Sequence, residues 1–147
     1  MKAFLEDKLA YDMACNLDWS RHICLHDDHI NGAVKKEMSH IINYHHQLNQ
    51  SLLKEEQESE LWDSFSIYDF EALHHDNYLR TQSILEQDIP QYTLENNLGF
   101  YHNYKIEDLL FDLFQHSAHH RGKISLLFKQ LELPAKTHSY LLYKRGL

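Results

Sequence analysis

Apolar residues recur at helical spacing along most of the chain. Leu5, Leu9, Met13, Leu17 and Ile23 predict a first helix from about Lys2 to His26. Asp27-Asp28 and Asn31-Gly32 interrupt it, and a second helix runs to about Lys54 with Ile30, Val34, Ile41, Leu48 and Leu52 on its apolar stripe. The polar stretch KEEQESE reads as the end of that helix and the start of a long solvated connection. A third helix is expected over Tyr68 to Gln87, stopping before Pro90. The segment IPQYTLENNLGFYHNYK mixes β-branched, aromatic and turn residues, which predicts an irregular loop with room for a short strand pair. The fourth helix spans about Ile106 to Leu131, with Glu107 and Asp108 in the first turn where the helix dipole favours anions, and Pro134 just past its end. A short helix in THSYLLYKR is expected to pack back on the others. Four amphipathic helices without an internal repeat predict an all-α bundle, with residues 1–147 forming one domain.

Composition sharpens this picture in a few places. Only 4 glycines and 2 prolines leave little material for tight turns, which again favours helices. No run of apolar residues is long enough for a membrane span, and MKAFLEDKLAYD lacks the apolar stretch and cleavage site of a signal peptide. Cys15 and Cys24 lie on one predicted helix, roughly 13 Å apart along its axis, too far for a disulfide. A reducing, cytoplasmic location is the expectation. The formal net charge of −8, with its basic residues scattered, argues against a nucleic-acid partner.

Thirteen histidines are the compositional oddity, and three of them fall within HSAHHRGKI. On a helical wheel Ile106, Leu109, Leu110, Leu113, Ile124, Leu127, Phe128 and Leu131 form one stripe, and His116 and His120 lie inside it. His119 lies outside. An imidazole on a core face is costly unless both nitrogens find partners. Two at i, i+4 can share a divalent cation at about 2.0–2.1 Å from each nitrogen, or can be hydrogen-bonded core histidines. A third ligand must come from another helix. In EMSHIINYHHQLNQSL, periodicity prefers His45, places His40 at the stripe's margin and turns His46 to solvent. His22, His26, His29, His74, His75, His102 and His138 read as surface or capping residues.

These residues resemble the DinB-like superfamily. HSAHHRGKI, followed by Leu133-Pro134 and THSYLLYKRGL, is similar to the last third of that family, whose final long helix carries His-x3-His-Arg-Gly-Gln. HIINYHHQLNQ resembles the family's second-helix pattern, and AYDMACN is a fainter echo of its opening segment. The resemblance spans nearly the whole chain in order and spacing. It implies a four-helix bundle in up-down-down-up order, with a long crossover between the second and third helices. It also implies a zinc or nickel ion held by His40, His116 and His120, and a homodimer. His45, His119 and Arg121 are then candidates for supporting contacts around the metal. The sequence departs from the pattern at Lys123, where the family has Gln, at Leu48, around Ser51 and Leu52, and at His138. Those positions bear on the substrate more than on the metal.

Three imidazoles leave such an ion an open position for water or substrate. By resemblance the expected activity is transfer of a low-molecular-weight thiol cosubstrate to a small electrophile, the metal activating the thiolate; a hydrolase using activated water is the neighbouring possibility. The alternative is a non-catalytic metal-binding or stress-response bundle. Glu37-x-x-His40 and Glu71-x-x-His74 also match the element of di-iron carboxylate proteins, but the His116–His120 helix lacks the required carboxylate.

Overall fold

The computed structural model describes residues 1–96 and 98–146; Asn97 of the predicted loop and Leu147 of the quoted tail lie outside them. The chain is mostly helical. Its elements are α1 (Lys2–Leu25), α2 (Gly32–Leu53), a 3-10 turn (Ile67–Asp69), α3 (Phe70–Glu86), β1 (Gln91–Glu95), β2 (Tyr101–Lys105), α4 (Ile106–Gln130) and α5 (Tyr140–Lys144). Local chemistry explains several boundaries. The Asn31 side chain accepts from the backbone N–H of Ala33 at 3.1 Å and Val34 at 3.3 Å, capping α2. Lys54, with φ of 57°, ends the same helix in a left-handed turn. Among the described residues no helix is long and apolar enough to cross a membrane.

The strand pair anticipated in the 89–105 segment is present, and it adds a small sheet to the helices-only expectation. β1 and β2 are antiparallel, with Gln91 opposite Lys105 and Glu95 opposite Tyr101. The turn is held by Asn96 Oδ1, which accepts from Leu98 N at 2.9 Å and Phe100 N at 3.0 Å. Tyr92 is the strand residue that reaches inward, joining Leu52 and Ile84.

Each of the four long helices packs against two others: α2 against α3 and α4, and α1 against α3 and α4. The core between them is not uniformly apolar. At one end Trp19, Ile23, Val34, Met38, Ile41, Phe70, Ile124 and Phe128 form a cluster; at the other Leu5, Leu9, Leu85, Leu110 and Leu113 do. Between the two ends every helix contributes buried polar residues: Asp12 and Asn16, His45 and Asn49, Asn77 and Thr81, His120 and Arg121. Arg121 Nη1 donates to Asp12 Oδ1 and to Asn16 Oδ1, both at 2.6 Å. On the α2–α3 side His45 Nε2 bonds Thr81 Oγ1 at 2.7 Å, and Asn49 Nδ2 donates to the Asn77 carbonyl at 3.0 Å. Met13 and Leu17, placed on the apolar stripe of α1 by periodicity, are only half-buried, because this polar belt takes the inward positions.

After α2 the chain turns back along that helix, and α2 side chains hold it there. Gln50 Nε2 donates to the Glu56 carbonyl at 2.8 Å, Gln47 Nε2 to Ser59 at 2.6 Å and Asn43 Nδ2 to Asp63 at 2.8 Å. Ser39 Oγ accepts from Phe65 N at 3.0 Å. The KEEQESE stretch is mostly exposed, as expected, while backbone carbonyls of the connection are held in register against α2. At the C-terminus, Tyr140 and Lys144 of α5 both bond Asp7 of α1, and Tyr140 packs edge-on to Tyr11 at 5.3 Å.

Burial lowers both His45 and His74 to about 3, so each ring is neutral in the folded protein. Unfolded, each titrates near 6.5. Between those values the unfolded chain holds protons that the folded chain does not, so stability falls on acidification from pH 6.5. We expect the unfolding free energy to drop between pH 7 and pH 5, by up to about 2 kcal/mol for each ring, seen as a lower urea midpoint. The drop should be smaller in His74→Gln, which cannot titrate. A midpoint unchanged over that interval would contradict this assignment.

Candidate metal centre

The seam between α2 and α4 brings together histidines from distant parts of the chain. His40 on α2 and His116 and His120 on α4 each offer a nitrogen, and these atoms lie within 4.8 Å of one another. His40 Nε2 and His116 Nε2 are 3.0 Å apart. The three ring centroids are separated by 4.4 to 4.8 Å. Helical periodicity accounts for the α4 pair, since residues four apart stack on one side of a helix.

The outer nitrogens explain why the inner ones converge. His40 Nδ1 donates to the Leu61 carbonyl at 2.8 Å, in the connection that runs back along α2. A carbonyl can only accept, so the proton is on Nδ1 and the Nε2 lone pair faces inward. His120 Nδ1 lies 2.5 Å from Glu37 Oε2, which fixes its Nε2 in the same way. His116 Nδ1 is buried without a hydrogen-bond partner among the described residues. The faces of the rings are covered as well. Trp62 stacks on His40 with centroids 3.7 Å apart and planes within 8°, and Tyr44 stacks on His116 at 3.6 Å and 14°. The Tyr44 hydroxyl in turn bonds the Asp112 carboxylate.

Burial, reinforced by the neighbouring His120 and His40 rings, lowers His116 to about 3. His120 is also lowered, chiefly by burial and against the pull of Glu37. Both rings are thus neutral near pH 7, the form that binds metal. Two directed lone pairs, a third ring four residues along the helix and an outer-shell carboxylate match the donor chemistry of a divalent transition ion. The 3.0 Å separation of the His40 and His116 nitrogens is about 0.4 Å shorter than the roughly 3.4 Å between two ligands about 2.1 Å from one tetrahedral ion, so binding would part them slightly. The trio can hold a metal ion; which metal is a separate question.

The other predicted residues go elsewhere. His45 is in the core, bonded to Thr81 on α3, and takes no part at this site. Periodicity was a sound guide to its burial but a poor one to chemistry, because His40 at the stripe's margin meets α4. Arg121 does not support the centre either: it turns into the polar belt and pairs with Asp12. His119 is exposed at the rim, its ring 5.2 Å from that of His120. Two histidines expected at the surface are buried: His74 against Met38, and His22 stacked on Phe128 with Nε2 at 2.6 Å from the Pro134 carbonyl. Glu71, of the di-iron element, pairs with Arg21 outside the core. Cys15 and Cys24 are free thiols, as their spacing required.

Tyr44 and Trp62 are neighbours that sequence reasoning did not place here, and Glu37 entered only through the Glu-x-x-His match to di-iron proteins. Glu37 carried a usable signal, since it precedes His40 by one helical turn; Trp62 did not, because it arrives through the fold of a loop. A cavity of about 500 Å³ lies elsewhere, between α1 and α4, walled by Phe4, Phe111, Phe114 and Tyr140. None of the three clustered histidines lines it, and the two buried charges at its floor, Asp12 and Arg121, satisfy each other.

No family model matches the chain, and no curated protein or solved structure matches it.

Glu37 orients His120, so we expect Glu37→Ala to weaken zinc affinity about 10–100-fold. Glu37→Gln, which keeps an oxygen acceptor, should lose less. Competition against a chromophoric chelator measures both, and wild-type affinity in Glu37→Ala would refute the role.

Proposed function

We propose that this chain is a DinB-like four-helix bundle in which His40, His116 and His120 hold a zinc or nickel ion. We further propose that it transfers a low-molecular-weight thiol to a small electrophilic substrate. The observation that carries the reading is the convergence of three imidazole nitrogens, two of which, on His40 and His120, have outer partners that leave their lone pairs facing inward.

The register of contacts supports an up-down-down-up order. Ile42 meets Asn77 and His45 meets Thr81, as in two helices running the same way. Glu37 meets His120 while Tyr44 meets Asp112, as in two running oppositely. Asp12 meets Arg121 and Trp19 meets Phe128, again the same way. The polar 54–66 connection then takes the place of the crossover.

When bound, the ion supplies Lewis acidity that brings the pKa of a thiol or water towards neutrality. The protein's own part is positional. His40 is oriented by Leu61 and by the Trp62 ring, so the connection and the ligand move together. Trp62 and Tyr44 shield the flanks from water. His119, exposed beside His120, is placed to pass the thiol proton to solvent. The sulfur lone pair forms the new bond to carbon, and the leaving group departs with its electron pair.

The polar belt favours a second, non-catalytic reading. The trio joins α2 to α4 at the same level at which Asp12–Arg121 joins α1 to α4, so a bound ion would also act as a structural lock. One set of measurements separates the two. Metal-loaded protein, a series of thiols and a chromogenic electrophile should give turnover that His116→Ala lacks. No rate above that variant with any thiol overturns the transferase. Stripping the ion with a chelator should lower the melting temperature by on the order of 5–10 °C in either case.

A further inference from the structure

The ligand helices carry two lysines on one side of the trio that, among the described residues, make no ion pair. Lys123 follows His116 by seven residues and His120 by three, so it lies within about 20° of the first around α4 and one turn beyond the second. Lys36 precedes His40 by four residues on α2, the spacing at which side chains stack on one face. Glu37 on α2 meets His120 on α4, so moving towards the start of α2 and the end of α4 leads to the same side of the trio. Lys36 and Lys123 flank that side from the two helices.

Both are exposed, and among the described residues neither makes an ion pair. Lys36 Nζ is held 5.7 Å from the Trp62 ring, the ring that also stacks on His40. The positive charge of Lys123 is felt at both His116 and His120. Of the neighbouring carboxylates, Glu37 bonds His120, Asp112 bonds Tyr44 and Asp63 accepts from Glu60 N, and none of these three pairs with either lysine. In a chain of net charge −8, these two lysines without an ion-pair partner offer an anion two cationic contacts beside one candidate centre. The Glu37 and Asp112 carboxylates, bonded to neutral groups, keep their own charge nearby. Three neutral imidazole ligands would bring no negative charge of their own to a divalent ion, leaving the Glu37 carboxylate behind His120 as the nearest anion.

We propose that Lys36 and Lys123 form an anion subsite beside the metal centre, selecting a ligand that donates to the ion at one end and carries a carboxylate or phosphate at the other. This rests on the metal reading above and narrows it to a substrate class. Lys36 and Lys123 would supply long-range attraction and a point-charge contact, while Trp62 walls the approach. Neutral molecules of the same shape would bind the ion without that gain.

Cobalt-loaded protein provides a test that does not depend on turnover. 4-Mercaptobenzoate and its uncharged amide present the same sulfur, and the rigid ring keeps the carboxylate from chelating the ion. Titrating each against the visible cobalt bands should show the acid binding about tenfold more tightly at low salt, with the difference shrinking as ionic strength rises. Lys123→Gln and Lys36→Gln should each reduce the preference about threefold, and the double variant should remove it. Cobalt affinity, titrated separately in each variant, keeps an indirect effect on the ligands from passing as a lost subsite. Equal affinities for acid and amide, no response to the acid, or a preference that survives in the double variant would overturn the subsite while leaving the metal reading intact. Cobalt bands that never develop would overturn both.

Discussion

Imidazole rings buried side by side are unfavourable unless each ring nitrogen has a partner, and this constraint organises the seam between α2 and α4. The outer nitrogens of His40 and His120 are satisfied by a carbonyl and a carboxylate, which leaves their inner lone pairs aimed at common space. Water or a cation can meet those lone pairs; another apolar side chain cannot. Even the short separation of the His40 and His116 nitrogens follows from this seam, since flat stacking on Trp62 and Tyr44 sets the planes of both rings.

The same constraint extends across the molecule. A belt of buried polar residues divides two apolar ends, and its members are paired mostly with one another, through Asp12–Arg121 on one side and His45–Thr81 on the other. Such pairs contribute little net stability compared with apolar packing, but losing one partner leaves the other stranded, so they are effective at fixing register. The histidine trio occupies the edge of this belt. Its placement is therefore backed by all four long helices, although only two supply rings. The 54–66 connection adds a further tie, because the carbonyl that orients His40 belongs to a segment held down by Gln50, Gln47 and Asn43.

Much of the helical layout was legible in the sequence. Apolar periodicity, the Asn31-Gly32 break and the prolines at 90 and 134 placed the long helices to within a residue or two, apart from the 3-10 turn that opens the third. Within HSAHHRGKI, the i, i+4 spacing brought out the two α4 histidines because helix geometry alone puts them together. Periodicity failed where polar residues face inward. It set Met13 and Leu17 on the buried side of α1 in place of Asp12 and Asn16, and it ranked His45 above His40. A hydrophobic stripe records average burial; it is silent on which polar residue at its margin finds a partner across the seam. Resemblance, by contrast, pointed to His40. Trp62 and Leu61 were beyond both approaches, since their positions follow from side chains of α2 gripping a loop backbone.

The central claim is that one cation belongs between His40, His116 and His120. Crystals grown from zinc-loaded protein, with data collected on either side of the zinc absorption edge, address it directly. The account predicts one strong anomalous peak per chain, about 2.0–2.1 Å from a nitrogen of each of the three rings. An empty seam, or a peak at other histidines such as His22 and His26 while these three hydrogen-bond only to protein and water, would contradict it.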